Sequence, residues 1–209
     1  MPFTIDQSTE LVVDSFPRSA NSYAEAAMIL SMTKSISIAH HSHAAAQVLF
    51  GVKKKLPAVI LIRNPIDAIA SFIDLHDGAY PVNLAAKEYH SFYSTLLPQL
   101  DKLVIVRTEL IRETWPTLLR LLNKRYGLSL QLDLLDNEVH QMVLDRMDQT
   151  GASRNDGQIE LYSTEKDEVF RQNRQQRLAA IKSDIERTAE PSLIRDIYKV
   201  YDTFFLSSI

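Results

Sequence analysis

Residues 56–62 read LPAVILI, apolar at all but one turn-forming position, and a strand that is apolar on both faces must be covered on both faces. A parallel sheet with helices packed against each side meets that need, because parallel neighbours are joined by helical crossovers. The surrounding text fits. Glu10–Ser15 (ELVVDS), Ser35–Ala39 (SISIA) and Leu103–Val106 (LVIV) read as further short strands, and each is followed by a stretch rich in helix formers. Helices are expected from Asn21, over Ala44–Phe50, after Asn64-Pro65, over Asn83–Leu97 and within Thr108–Tyr126, which Gly127 closes. Asn64 suits the helix cap, Pro65 the first helical position, and Asp67 a reciprocal capping contact.

Beyond Gly127 the strand signals fade. Helices near Asn137–Gln149, Lys166–Glu186 and Ser192–Phe205 remain, with a polar stretch at residues 150–164 that reads as a mobile loop. The expectation is one domain over residues 1–209: a sheet core at 10–127 and a helical cover at 128–209.

Composition narrows the function. The 209 residues carry 23 Lys+Arg against 26 Asp+Glu, a net charge of −3 that argues against a nucleic-acid coat protein, since such binding needs a large positive field. Cysteine is absent, which removes disulfides, thiolate zinc sites, Fe–S clusters and thiol nucleophiles. No apolar run approaches the ~18–20 residues of a bilayer-spanning helix, and MPFTIDQSTE has neither a basic leader nor an apolar signal core. A cytoplasmic protein without a membrane span is expected.

In open parallel sheets, ligands bind outside the carboxyl ends of the strands. Three strand exits in this chain are unusual. The first is Pro17-Arg18-Ser19-Ala20-Asn21-Ser22-Tyr23, a turn into a helix that offers a cation, hydroxyls, an amide and backbone N–H groups to an anion. It is not a Walker A loop, because the G-x-x-x-x-G-K-[ST] pattern is missing. The second is Arg63-Asn64-Pro65 with Ser71 two helical turns on, where a guanidinium fork can take a phosphate. The third, His40-His41-Ser42-His43, puts imidazoles where a general base near neutral pH could act. No carboxylate stands at a helical spacing beside these histidines, so no metal is expected. Taken singly, each exit also has a plain structural explanation: a helix cap, an Arg paired with Asp67 or Asp74, a core histidine.

Taken in order, PRSANSY, HSH, IRNPIDAIAS and VIVRTEL resemble the successive motifs of the PAPS-dependent sulfotransferases, which move a sulfuryl group from 3′-phosphoadenosine 5′-phosphosulfate to a hydroxyl or amine. The family's first motif, P-[KR]-S-G-[TS]-[TS]-[WFY], falls on residues 17–23, with Ala20 in place of Gly and Asn21 in place of a hydroxyl residue. Ala20 implies a turn without positive φ, which only Gly takes freely. The R-x-P…S motif matches Arg63, Pro65 and Ser71 in identity and spacing, and Glu109 matches a later Y-E-D-L signature. The resemblance covers roughly residues 10–127.

The resemblance implies a three-layer, P-loop-like α/β fold and a PAPS cofactor leaving as PAP, without metal. It assigns the 5′-phosphosulfate to residues 17–23 and the 3′-phosphate to Arg63 and Ser71. It further implies adenine stacking on Tyr23 and a catalytic base about 20 residues before Arg63, at His43, with His41 at the family's lysine position and Arg18 stabilising the leaving group. His40 and His41 remain the other candidate bases. The family's C-terminal R-K-G loop is not recognisable, and Arg154 near Gly157 stands in for it. The acceptor is a small molecule or glycan of unspecified kind. Two rival readings are a small-molecule kinase, which needs a phosphate-loop lysine and a magnesium carboxylate, and a non-catalytic binding protein that kept the fold. The sulfotransferase reading requires the two grips, Arg18 with its loop and Arg63 with Ser71, to share one face within reach of a single nucleotide.

Overall fold

The computed structural model describes residues 4–154 and 168–209. Four strands, β1 (Thr9–Asp14), β2 (Ser37–His40), β3 (Ala58–Ile62) and β4 (Val104–Arg107), form a parallel sheet in the order β2-β1-β3-β4. Val13 pairs with Val59 and Ile62 with Arg107, so the strands end nearly level. All five residues of β3 are fully buried, as its two-faced apolar pattern demands.

The sheet divides the core in two by simple alternation. Ile60 and Ile62 face a cluster built with α2 (Ala45–Lys53), α3 (Pro65–Leu75), α4 (Val82–Leu96) and α8 (Pro191–Leu206). Val59 and Leu61 face the other, built with α1 (Asn21–Ser31), α5 (Ile111–Tyr126) and α6 (Asn137–Arg154). α7 (Glu168–Thr188) lies along α3. Each fully buried aliphatic side chain contributes about 1.5–3 kcal/mol relative to exposure, so this double-sided packing dominates the stability. Trp115 and Tyr93, both fully buried, are core residues as their helical setting suggests. Among the described residues, no helix is long and apolar enough to cross a membrane.

Several boundaries differ from the sequence reading. α6 runs through Arg154, so the first part of the expected polar loop is helical; residues 155–167 lie outside the described residues. The cap of α3 forms as expected on one side, Asn64 Oδ1 accepting from the amides of Ile66 and Asp67. Its reciprocal half is not Asp67, whose carboxylate pairs with Lys182; the Asn64 amide instead donates to Glu109 at 3.0 Å. A long-range carboxylate thus locks β3's exit to the segment after β4.

The strand order places the binding crevice. From β1 the chain moves outward to β2, then returns across β1 to β3, so the direction reverses between β1 and β3. At such a switch point the loops leaving adjacent strands part and open a cleft. α4 steadies its floor: the Tyr89 and Tyr93 hydroxyls donate to the carbonyls of Arg63 and Leu61, each at 2.8 Å.

Candidate cofactor cleft and active site

A cavity of about 390 Å³ opens at that switch point. Pro17, Arg18, Ala20, Asn21, Ser22 and Tyr23 form one wall, so six of the seven residues of the first motif meet in it. Ser19 does not: it is fully buried outside the lining. α1 starts here with no side-chain cap, leaving its first-turn amides to another acceptor, as an anion-binding helix terminus requires.

The turn is more strained than its sequence suggests. Ala20 sits in the left-handed region at φ 63° and ψ 26°, contrary to the expectation that Ala would exclude positive φ there. Arg18, His41 and His43 are left-handed as well, at φ 64°, 54° and 50°. Non-glycine residues pay about 1–2 kcal/mol for this conformation. Four such residues on one cavity mark a site whose backbone is held by its surroundings rather than by preference. Ala20→Gly, which removes the Cβ penalty, should stabilise the fold by about 1 kcal/mol and raise the melting temperature by about 2–4 °C. A lower melting temperature in thermal unfolding would contradict the left-handed turn.

The opposite wall gathers cations. Arg63, leaving β3, donates from Nη1 to the Arg18 carbonyl at 2.7 Å, and Arg18 Nε donates to Ser71 Oγ at 3.2 Å. The two expected grips therefore occupy one cavity and touch each other. Asp67, one of the ion-pair partners expected for Arg63, is engaged by Lys182. A third guanidinium joins from α7: Arg174 Nη2 reaches Ser71 Oγ at 3.3 Å while its Nε pairs with Asp74 at 3.4 Å. Arg177 also pairs with Asp74, at 2.9 Å. Arg171, Arg174 and Arg177 read from sequence most simply as a solvated face, with Arg174 or Arg177 also able to face an anionic acceptor; the structure turns Arg174 to Ser71 in the cavity. Burial lowers the proton affinity of Arg63; Asp67 and Glu109 oppose this, while the charges of Arg18 and Arg174 add to it. Gathered cations of this kind repel one another until an anion enters.

The histidine wall has two layers. His43 Nδ1 lies 2.8 Å from the Ser15 carbonyl, which can only accept, so Nδ1 carries the proton and Nε2 is the basic nitrogen of the neutral ring. Asp14, the last residue of β1, supports it from below: its carboxylate accepts from the His43 amide at 3.2 Å and lies 3.7 Å from Nδ1. Burial pushes the Asp14 carboxyl up in spite of hydrogen bonds from Ser42 and the Ser15 amide. The sequence reading missed Asp14, although an acidic residue closing a buried apolar strand is a visible signal. Behind His43, His41 Nε2 meets Ser22 Oγ at 3.1 Å, and His40 is almost wholly buried. No carboxylate stands at a helical spacing beside these histidines, but the fold supplies one: Glu25 arrives from α1.

Tyr23 is only 8% exposed, its hydroxyl 2.8 Å from His140 Nδ1 and its ring tilted against that imidazole. Burial pushes the phenol up to about 12 and holds His140 below its ordinary value. His140 on α6 had no signal in the sequence, since only the fold brings it to Tyr23. The Arg154 side chain lies outside the described residues.

A second cleft of about 400 Å³ adjoins the first and shares Pro17 and His43 with it; Phe16, Phe92, Ser91 and Glu88 are among the rest of its wall. His43 thus stands between two spaces, one rich in arginine and one partly aromatic.

The fold is α/β with an all-parallel sheet, and it is similar to that of a solved sulfotransferase. Among solved structures, mouse sulfotransferase SULT7A1 complexed with PAP is similar to it, with a TM-score of 0.52 at 12% identity over 96% of this chain and 85% of that one. The likeness therefore extends past residue 127, where the sequence motifs stop. No family model matches the sequence, and no curated protein matches it.

Proposed function

We propose that the chain is a sulfotransferase that binds PAPS in the arginine-lined cavity and passes its sulfuryl group to a hydroxyl or amine held in the adjoining cleft. The observation that carries this reading is the meeting of Arg18, Arg63 and Arg174 in one cavity, with the basic nitrogen of His43 on the border of a second space. The donor supplies an electrophilic sulfur and a phosphate leaving group; the chain supplies charge and a base.

Arg63, Ser71 and Arg174 would hold the 3′-phosphate. Arg18, Asn21, Ser22 and the uncapped start of α1 would hold the 5′ side and stabilise the oxygen released there. The Arg18 guanidinium would act on the leaving group through charge and hydrogen bonds, not proton donation. Ser42, the buried Asp14 and the Ser15 carbonyl fix the His43 ring, leaving Nε2 to take the acceptor's proton as its oxygen or nitrogen attacks sulfur. Tyr23, packed against His140, offers an adenine little free face. The acceptor would be a small molecule or a sugar hydroxyl that fits the cleft of Phe16, Phe92 and Glu88.

The kinase alternative lacks its parts: no lysine lines the described cavity. Thermal shift separates the readings. PAP without added magnesium should raise the melting temperature, because a ligand at 100 times its Kd adds about 2.7 kcal/mol. Stabilisation by magnesium-ATP alone, or by neither nucleotide, contradicts the proposal.

A further inference from the structure

Behind the His43 wall lies a cluster that sulfuryl transfer does not use. Glu25, His40 and His41 converge from α1 and the end of β2, with side chains 7%, 1% and 12% exposed. One ligand-capable atom of each lies within 4.8 Å of the others. His41 Nδ1 is 2.8 Å from His40 Nδ1 and 3.4 Å from Glu25 Oε2, and His40 Nε2 is 3.3 Å from Glu25 Oε1.

We propose that Glu25, His40 and His41 form a site for a borderline transition metal ion of the Zn²⁺ class. Consecutive residues on a strand point to opposite faces, so two adjacent imidazoles normally diverge. Here the left-handed φ of 54° at His41 breaks the alternation just past β2 and turns both rings, crossed at 84° with centroids 5.0 Å apart, toward one carboxylate. The strain at His41 acquires a purpose in this arrangement, since ligation can hold a conformation that costs free energy by itself.

The spacing suits such an ion. Two donors bound at about 2.1 Å in tetrahedral geometry stand about 3.4 Å apart, close to the spacing of His41 Nδ1 and Glu25 Oε2. A small opening of the 2.8 Å His40–His41 contact completes the set. Two imidazoles and one carboxylate favour Zn²⁺, Co²⁺ or Ni²⁺ over Mg²⁺ and Ca²⁺, which prefer oxygen donors. His41 lines the cofactor cavity, so the ion would tie α1 to the exit of β2 just behind the wall that carries Ser22 and His43.

Untagged protein, stripped with a chelator and desalted, is titrated with Co²⁺. One equivalent should bind, with visible d–d absorption that Zn²⁺ displaces and Mg²⁺ does not. His41→Ala, the least buried position of the three, should weaken Co²⁺ binding by about 100-fold, and Glu25→Gln should do likewise. His76→Ala, an exposed histidine away from the cluster, should leave it unchanged. Failure of the folded wild-type chain to take up stoichiometric Co²⁺ overturns the site and leaves a hydrogen-bonded His–His–Glu cluster in its place. Uptake that survives both His41→Ala and Glu25→Gln overturns it equally. Neither result bears on PAP binding.

Discussion

Arg63→Ala should weaken PAP binding by about 100-fold or more while the chain remains folded. Arg63 follows the inner strand β3, its guanidinium reaches the Arg18 carbonyl at 2.7 Å, and its neighbours are two further arginines. Charge-assisted hydrogen bonds to phosphate are worth about 1.5–3 kcal/mol each, and a guanidinium makes two at once, so losing the fork costs about 3 kcal/mol at the low end. Arg63→Lys separates charge from geometry: it should recover part of the affinity, because a point charge replaces the fork. Calorimetric titration with PAP, paired with a melting curve for each variant, checks this. Wild-type affinity in Arg63→Ala would remove the phosphate role.

His43→Ala should lose turnover by about 10²–10⁴-fold, the range for removing a general base, while PAP affinity changes little. The selectivity follows from the geometry: Nδ1 is committed to the Ser15 carbonyl, the ring faces both clefts, and none of the cations that would grip a nucleotide depends on it. His41→Ala should be milder, because His41 Nε2 is already engaged with Ser22. If His41→Ala is the damaging change and His43→Ala is benign, the base is misassigned even though the cleft is not. Steady-state sulfuryl transfer to a panel of small phenols, amines and sugars, with PAP binding measured alongside, reads both effects.

The parts of this site visible in sequence are those that chain-local chemistry fixes. LPAVILI could only be a doubly covered strand, Asn64-Pro65 could only start a helix well, and Gly127, at φ 67°, closes α5 as a residue free to be left-handed should. The motif residues Arg18, Arg63 and His43 stood out for the same reason: they follow strands, and strand exits are where the topology opens; Ser71 stood out by its spacing from Arg63. What stayed hidden depends on contacts between elements far apart in the chain. Arg174 reaches Ser71 across 103 residues, His140 reaches Tyr23 across 117, and Glu109 reaches the Asn64 amide across 45. No spacing rule encodes those. Ala20 failed differently, since a local rule was overridden: the loop needs a left-handed residue between two buried segments and accepts the cost of an alanine there. Glu25 did leave a trace, a lone acid on the same helical face as Asn21 in an alanine-rich stretch, but the partner histidines came from another element.

In the proposed enzyme one cleft grips both phosphates of a single adenosine. Calorimetry without added magnesium, comparing PAP with 5′-AMP, measures that grip most directly, since the two ligands differ only in the 3′-phosphate. One PAP per chain should bind, with 5′-AMP at least about 100-fold weaker because Arg63, Ser71 and Arg174 are left without their anion. Equal affinity for the two nucleotides, or no binding of either, would contradict it.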